Sequence, residues 1–371
     1  MEVLNQPIVQ AQATKKIVQV VQHLAPGGIE TMAIDMVNTF LPNTHMHLLS
    51  LEGTKHTLSA NWERLATLRV DWESMDKQAG IDFALIESLY EYFVENQVDI
   101  VHTHHIGPLL YAGIAAKKAG CKVIHTEHDA WHLQSTKRAL LQRSLLHYVQ
   151  PFVVADAVAV AEAFAKKMKR PVDTIITNGV NVDKFTPCDQ QSARNTLNLP
   201  LHAKLIGSAG RLEVVKGQRY LIEALAKLDT DTHLVIAGNG SLRDELLALI
   251  NTLGLSQRVH MIGHIEDMVS FYNALDIFCL PSLQEGFPLS PLEAQACNVR
   301  VVVTDVGGSK DTLCPMTGIA VPAENTTILA KSLSSMLEYK ETFSPREFIT
   351  EHYNFANKIG TYNALYHKDE V

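Results

Sequence analysis

Residues 280–303 read LPSLQEGFPLSPLEAQACNVRVVV, and this stretch decides the fold. It leaves an apolar tetrad, Ile277-Phe278-Cys279-Leu280, that reads as a buried strand, and it ends in a second one at Val301-Val302-Val303. Between them a proline-punctuated loop carries Glu285 and Gly286, and a short helix opens around Glu293. Strand, loop, helix and strand make half of a parallel α/β layer, and the loop leaving such a strand lies at the sheet edge that binds ligands. Two carboxylates separated by seven residues therefore address one crevice. Glu293 has two readings that spacing leaves open. Ser290-Pro291-Leu292-Glu293 has the form of a capping box with proline at the first helical position. The carboxylate either caps its own helix, contributing up to ~1 kcal/mol at the positive end of the dipole, or reaches a ligand. Glu285, beside Gly-Phe-Pro in a strand-exit loop, has no such internal use and is expected to contact something polar.

Working back from this stretch, the second half of the chain alternates strands and helices. Strands are expected at Lys204–Ala209, His233–Ala237 and Val259–Ile262, with helices at 218–228 and 242–253. Nearly every turn after a strand carries glycine: Gly210, Gly238 and Gly240, Gly263, Gly286, Gly307 and Gly308. Glycine lets a backbone come close to a ligand. A row of such turns beside Arg211 and Lys216 offers what a nucleoside diphosphate needs: N–H donors, helix N-termini and two fixed cations.

The first half repeats the alternation. Ile17–Leu24 is a β-branched run ending at Pro26-Gly27-Gly28, followed by helical spacing over 29–40. Further strands are expected at 46–51, 99–105, 121–125, 157–160 and 174–177, with helices at 81–96, 109–119 and 137–148. Histidines cluster at two strand ends, His102, His104 and His105, then His125, His128 and His132. Strand spacing puts His102 and His104 on one face, but no carboxylate partner completes a metal site. His128, between Glu127 and Asp129, is the better candidate for touching a substrate hydroxyl. The turn signal Asn178-Gly179-Val180-Asn181 and the polar stretch to Asn198 mark the domain boundary. A final amphipathic helix from Pro345 to about Lys368 is expected to pack back across the domains. Residues 1–14 read as a loose polar leader.

Composition narrows the function. The chain has 371 residues, enough for two domains. A net charge of −8 disfavours general nucleic-acid binding. No apolar run suits a membrane span, and the first twenty residues lack the pattern of a signal peptide, so a cytoplasmic location is expected. Five scattered cysteines form neither a disulfide framework nor a zinc spacing. Two basic clusters, Lys137-Arg138 with Arg143 and Lys166-Lys167 with Lys169-Arg170, read either as solvated helix surface or as contact with an anionic membrane. Gly238-Asn239-Gly240 lacks the third glycine of a dinucleotide fingerprint, which disfavours a nicotinamide oxidoreductase. Asp229-Thr230-Asp231 precedes a strand and reads as a turn.

Assembled, these residues resemble the GT-B glycosyltransferases, specifically retaining family four, the glycosyl transferases of group 1. The resemblance covers both halves and is carried by GRLEVVKGQRYLIEAL, LVIAGNGSLRDEL, VHMIGHIEDM and EGFPLSPLEAQAC, with weaker matches at PGGIE, DIVHTHH, HTEHD and NGVNVDKF. It implies an α/β fold of two facing Rossmann-like, doubly wound parallel-sheet domains. Residues 1–185 would form the acceptor side, 186–345 the nucleotide-sugar side, and 346–371 a helix crossing back to the first domain. It implies a hexosyltransferase-type enzyme that moves a sugar from a nucleotide-diphosphate donor to a hydroxyl acceptor with retention. Cell-surface polysaccharide or glycolipid assembly is the expected setting, with a lipid-linked acceptor at the inner face of the cytoplasmic membrane. The nucleotide-sugar is a substrate, and neither a cofactor nor a metal is expected.

By resemblance, Arg211 and Lys216 hold the donor diphosphate, Glu293 the ribose, and Glu285 the transferred sugar beside the backbone of Gly286, Phe287 and Pro288. His128 resembles the histidine that contacts sugar and acceptor, with Gly28 and His104 expected near the acceptor. Gly27 and Gly28 are similar to the loop nearing the diphosphate. Gly210, Gly238 and Gly240 line the donor side, and His264 edges the base. Two departures concern the sugar pocket: Gly307-Gly308-Ser309-Lys310-Asp311 replaces the usual Gly-Gly-x-Pro-Glu, and Pro291 stands where an aliphatic residue is more common. A GT-B-like sugar-nucleotide epimerase and a non-catalytic sugar-nucleotide-binding protein are the alternatives. The epimerase would need no acceptor, and the binding protein would have lost Glu285 or Lys216.

Overall fold

The structure is a computed structural model that describes residues 14–39, 41–338 and 343–368; the expected polar leader lies almost wholly outside them. Among the described residues, thirteen strands form two parallel sheets. The first contains β1 (Lys15–Val21), β2 (Thr44–Glu52), β3 (Trp72–Lys77), β4 (Ile100–His104), β5 (Lys122–Glu127), β6 (Phe152–Ala155) and β7 (Thr174–Ile175), ordered β3-β2-β1-β4-β5-β6-β7. The second contains β8 (Lys204–Ala209), β9 (Thr232–Ala237), β10 (Val259–Gly263), β11 (Ile277–Leu280), β12 (Arg300–Thr304) and β13 (Ile319–Val321), ordered β10-β9-β8-β11-β12-β13. Each order runs outward from its first strand, returns to the start and runs out the other way. The reversals fall between β1 and β4 and between β8 and β11, the positions at which doubly wound sheets open a crevice at their carboxyl edge. The near-continuous apolar runs of β8, β11 and β12 follow from burial on both faces.

Two compact units result. One takes the chain to Glu127, Thr136–Val154 and the stretch from Gly360 onward; the other takes His128–Ser135 and Ala155–Ile359. The expected boundary at 185/186 falls between β7 and β8 in the sequence, whereas the compact units divide at Val154/Ala155, with His128–Ser135 in the second unit and the stretch from Gly360 in the first.

Several expectations need correction. Ala157–Val160 is not a strand: the strand is Phe152–Ala155, and a helix runs Val158–Met168. Its buried residues Val160, Ala161, Phe164 and Met168 have helical, not alternating, spacing. The single C-terminal helix is two, Pro345–His352 and Phe355–Tyr366, interrupted where Asn354 bridges Val180. The polar strand β3 and the helices Gln190–Thr196, Met268–Ala274 and Thr326–Glu338 were not expected. The end of the last helix belongs to the first unit. There Tyr366, fully buried, bonds Gln19 Nε2 and His102 Nδ1, each at 2.9 Å, and Lys122 Nζ meets the carbonyls of Leu365 and Lys368.

Candidate active site

In the second unit the reversal of strand order brings the loop after β8 against the loop after β11. The first loop closes with a short turn, Val214–Lys216, and Gly217 in the left-handed region at φ 63°. A Cβ on Gly217 would strike the Pro281 carbonyl oxygen, so only glycine permits this approach. The Leu283 N–H donates to the Val215 carbonyl at 2.7 Å and ties the loops together. Lys216 Nζ consequently lies 2.7 Å from Glu285 Oε1, and Ser282 Oγ donates to the same oxygen at 2.6 Å. The Glu285 side chain is 8% exposed and that of Lys216 22%, so the carboxylate is held by partners rather than by water. Lys216 and Glu285, 69 residues apart in sequence, form the centre of the candidate site.

Arg211 is exposed on the same loop, with its backbone carbonyl accepting from Gln218 Nε2 at 3.0 Å. The neighbouring Glu213 carboxyl is held below its usual range chiefly by the Ser241 N–H and hydroxyl, with a smaller contribution from the Arg211 charge.

Glu293 sits in the helix Ser290–Ala296, and the capping box fails. The cap position is Leu289, Ser290 is already helical, and no side chain caps the end. The pattern is out of register by one residue. The Glu293 backbone makes an early helical bond, N–H to the Leu289 carbonyl at 2.9 Å, while its carboxylate turns away and accepts from the Tyr272 hydroxyl at 2.6 Å.

His128 belongs to this unit. Its Nδ1 bonds Asp156 Oδ2 at 3.0 Å, and Asn178 Nδ2 donates to the same oxygen at 3.1 Å and to the Phe287 carbonyl at 3.3 Å. Burial pushes the Asp156 carboxyl above its ordinary range, opposed by the bonds from His128 and Asn178. Gly286 lies so close that a Cβ there would meet the His128 carbonyl oxygen. Phe287 and Pro288 are buried, the Phe287 ring packing on Tyr353 at 5.7 Å, so any ligand would meet their backbone. His264 is exposed after the outermost strand β10 and pairs with Glu266 at 3.2 Å, two strands from β8.

The glycine row mostly serves the protein itself. A Cβ on Gly238 would meet the Gly210 carbonyl, one on Gly240 the Leu212 backbone, and one on Gly307 the Glu285 carbonyl. A Cβ on Gly210 would instead meet only the aliphatic stem of Lys216, at 3.8 Å, although the residue's φ of 151° is one that side chains rarely adopt. Gly308, in the sequence that departs from the family pattern, donates its N–H to the Gly286 carbonyl at 2.7 Å and so supports the Glu285 loop.

In the first unit, Gly27 precedes the helix Gly28–Asn38 in extended conformation, and the Glu30 carboxylate fills the space a Cβ on Gly27 would take. His104 was expected near an acceptor but is fully buried, with Nε2 2.9 Å from Gln19 Oε1 and its ring 4.4 Å from that of His102. Strand alternation aims both rings into a buried polar network with Thr126 and Tyr366. Among the described residues no three His, Cys, Asp or Glu side chains converge as a metal site, and no helix is long and apolar enough to cross a membrane. Sequence reasoning missed Asp156, Tyr272, Ser282 and Glu30 as partners; each acts across the fold or across a turn whose geometry no motif announces.

The family model for glycosyl transferases group 1 matches residues 189–353, and that for Glycosyltransferase Family 4 matches residues 26–184. A D-inositol 3-phosphate glycosyltransferase of Corynebacterium urealyticum is 27% identical over 302 residues, 72% of this chain and 71% of the relative. The UDP-Gal:alpha-D-GlcNAc-diphosphoundecaprenol alpha-1,3-galactosyltransferase of Escherichia coli is 29% identical over 62% of this chain and 63% of its own length, just under two thirds. Among solved structures, Anabaena HepE in complex with UDP and glucose superposes with a TM-score of 0.83 at 20% identity, over 95% of this chain and 99% of that one. Two Rossmann-like parallel sheets, both family models and a GT-B structural likeness agree, and the chain belongs to the group 1 glycosyltransferases.

Proposed function

We propose that this glycosyltransferase moves a sugar from a nucleotide-diphosphate donor to a hydroxyl acceptor with retention of anomeric configuration. The observation that carries the reading is the Lys216–Glu285 pair at the β8/β11 reversal, with exposed Arg211 on the same loop. Departure of the diphosphate from an oxocarbenium-like centre leaves negative charge on the leaving oxygens. Lys216 and Arg211 stabilise that charge, a contribution of ~3–4 kcal/mol for one strong preorganised donor. Glu285, itself bonded by Ser282, holds the lysine side chain before the donor arrives, and Glu285 then meets the sugar hydroxyls. His128, fixed by Asp156, contacts sugar and acceptor. In this reading the acceptor attacks from the face the diphosphate leaves, and the departing oxygen helps remove its proton. The two cations supply the charge, so activity is expected to persist in EDTA.

The donor class is tested by a thermal-shift panel of UDP-, GDP- and ADP-sugars, because a ligand that binds only the folded state raises the midpoint. No shift at millimolar concentration with any of them would sink the reading. Incubation with donor alone separates transfer from epimerisation, since an epimerase gives a new sugar nucleotide without acceptor.

The acceptor is proposed to be a lipid-linked saccharide reached from the cytoplasmic face of a membrane, in polysaccharide or glycolipid assembly. The E. coli relative is named for a diphosphoundecaprenol acceptor. The helix Thr136–Val149 exposes Lys137, Arg138 and Arg143 around Leu140, which is 64% exposed, with Leu141 and Tyr148 also outward. Basic and apolar side chains mixed on one outer face suit the headgroup region of an anionic bilayer.

A further inference from the structure

We propose that Tyr272 is a positioning residue for the nucleoside ribose: its hydroxyl fixes the Glu293 carboxylate in the orientation that accepts hydrogen bonds from the vicinal ribose hydroxyls. The inference rests on the reading of Glu293 as the ribose-binding residue. Tyr272 is fully buried in the helix Met268–Ala274, with the rings of Phe185, Phe271 and Phe278 at 6.0, 5.5 and 5.4 Å. That aromatic box leaves the phenol no room to swing, so its hydroxyl is a fixed point. The hydroxyl donates to Glu293 Oε2 at 2.6 Å, the length of a charge-assisted O–H···O⁻ bond. Anchoring one oxygen fixes the plane of the carboxylate. A glutamate has three rotatable side-chain bonds, and holding them before the ligand binds removes an ordering cost from the binding step. Glu293 is half-buried at the start of the helix that follows the β11 loop, and its backbone is fixed by the bond to Leu289. Tyr272 fixes the remaining end. The bland alternative is that a buried phenol simply needed an acceptor and Glu293 supplied it. The two readings diverge in ligand discrimination, because a purely structural contact changes binding of all nucleotides equally.

The test compares UDP with 2′,3′-dideoxy-UDP by calorimetric titration of the full chain, with ADP and GDP and their dideoxy forms in parallel. The nucleotide that binds most tightly is used to form the ratio. Wild type is expected to prefer the ribonucleotide by about 30-fold. Tyr272→Phe keeps the ring and is expected to compress that preference to about threefold while leaving affinity for the dideoxy form unchanged. The tenfold loss corresponds to about 1.4 kcal/mol. If phenylalanine leaves the protein unfolded, 4-fluorophenylalanine at the same position fills the hydroxyl volume without a donor, and the same ratio is read. Glu293→Ala should abolish the preference. A wild-type preference retained by Tyr272→Phe but lost in Glu293→Ala would overturn the role of Tyr272 alone. A preference that survives Glu293→Ala, or that wild type lacks, would overturn the ribose assignment of Glu293 and the role of Tyr272 with it. Equal weakening of both nucleotides in Tyr272→Phe would assign the contact to structure and likewise overturn the proposal.

Discussion

Separating what Lys216 does for the fold from what it does for catalysis requires breaking its pair with Glu285 in both directions. Lys216→Ala leaves the Glu285 carboxylate, 8% exposed, with Ser282 Oγ at 2.6 Å. Removing one partner of a fully buried pair costs about 3–5 kcal/mol. The lysine side chain is 22% exposed, so water can enter where it was; about 2 kcal/mol is the expected loss, below the range for full burial. Glu285→Ala strands a cation that can reach solvent, with an expected loss of about 1 kcal/mol. The double variant removes both charges, so its loss should be about 1 kcal/mol rather than the sum of about 3, a coupling of about 2 kcal/mol. Urea unfolding at constant slope reads these differences as midpoints. Turnover should behave otherwise. Lys216→Ala should lower kcat about 10²–10³-fold, and the double variant should stay that low although its stability is largely restored. Additive stability losses would refute the coupling argued from the 2.7 Å contact. Recovery of kcat in the double variant would refute the lysine as a direct contact of the diphosphate, and wild-type kcat in the single variant would remove it from the site.

Arg211 is exposed, so Arg211→Ala should lower kcat about 10²-fold with an unchanged unfolding midpoint; a midpoint that falls with activity would indicate a structural role. Asp156 has its carboxyl pushed up from its ordinary 3.8, chiefly by burial. Its contribution to stability is therefore fully present below that value and lost as pH rises through the folded pKa. Asp156→Asn should gain stability relative to wild type as pH rises above about 4, with kcat falling as His128 loses its carboxyl partner; a stability difference that does not vary with pH would contradict the burial argument. Charge reversal at Lys137, Arg138 and Arg143 should abolish flotation with anionic liposomes at low salt, since each basic residue near such a surface contributes about 1 kcal/mol; unchanged flotation would exclude the Thr136–Val149 helix as the contact.

How much of this was readable beforehand depends on the range over which each signal acts. β8, β9 and β11 fell within a residue of expectation because their apolar runs end at turn residues that the chain itself supplies, Gly210, Gly238 and Pro281. β3, reading WESMDK, has no apolar run, because its neighbour β2 covers one edge only. The Val-Ala-Val at 158–160 misled because β-branched residues suit a strand as well as a buried helix turn. Lys216 and Glu285 could be picked out separately, but that they touch follows from the reversal of strand order, which no local pattern specifies. Tyr272 and Asp156 stand 21 and 28 residues from their partners. Their contacts belong to helix packing and loop crossing, and neither residue sits in a motif that would have drawn attention to it.

The glycine row has a reason in the fold that the expectation of a ligand did not include. Glycines at the carboxyl edge were expected because a ligand approaches there, yet at Gly238, Gly240, Gly286 and Gly307 the space a Cβ would need is filled by the protein's own backbone. The loops after β8 and β9 are tied by the bonds from Gly210 N–H to Ala237 and from Leu212 N–H to Asn239, and the loop after β12 is tied to that after β11 from Gly308 N–H to Gly286. These N–H groups are already committed and are poor candidates for holding phosphate oxygens. In the proposed reading, recognition of the diphosphate therefore falls more heavily on side-chain cations than a glycine-rich edge suggests, and Arg211 and Lys216 are expected to be harder to replace for binding than any one glycine. The glycines matter first as the spacing that lets four strand-exit loops nest, and the side chains those loops carry inherit their positions from that nesting.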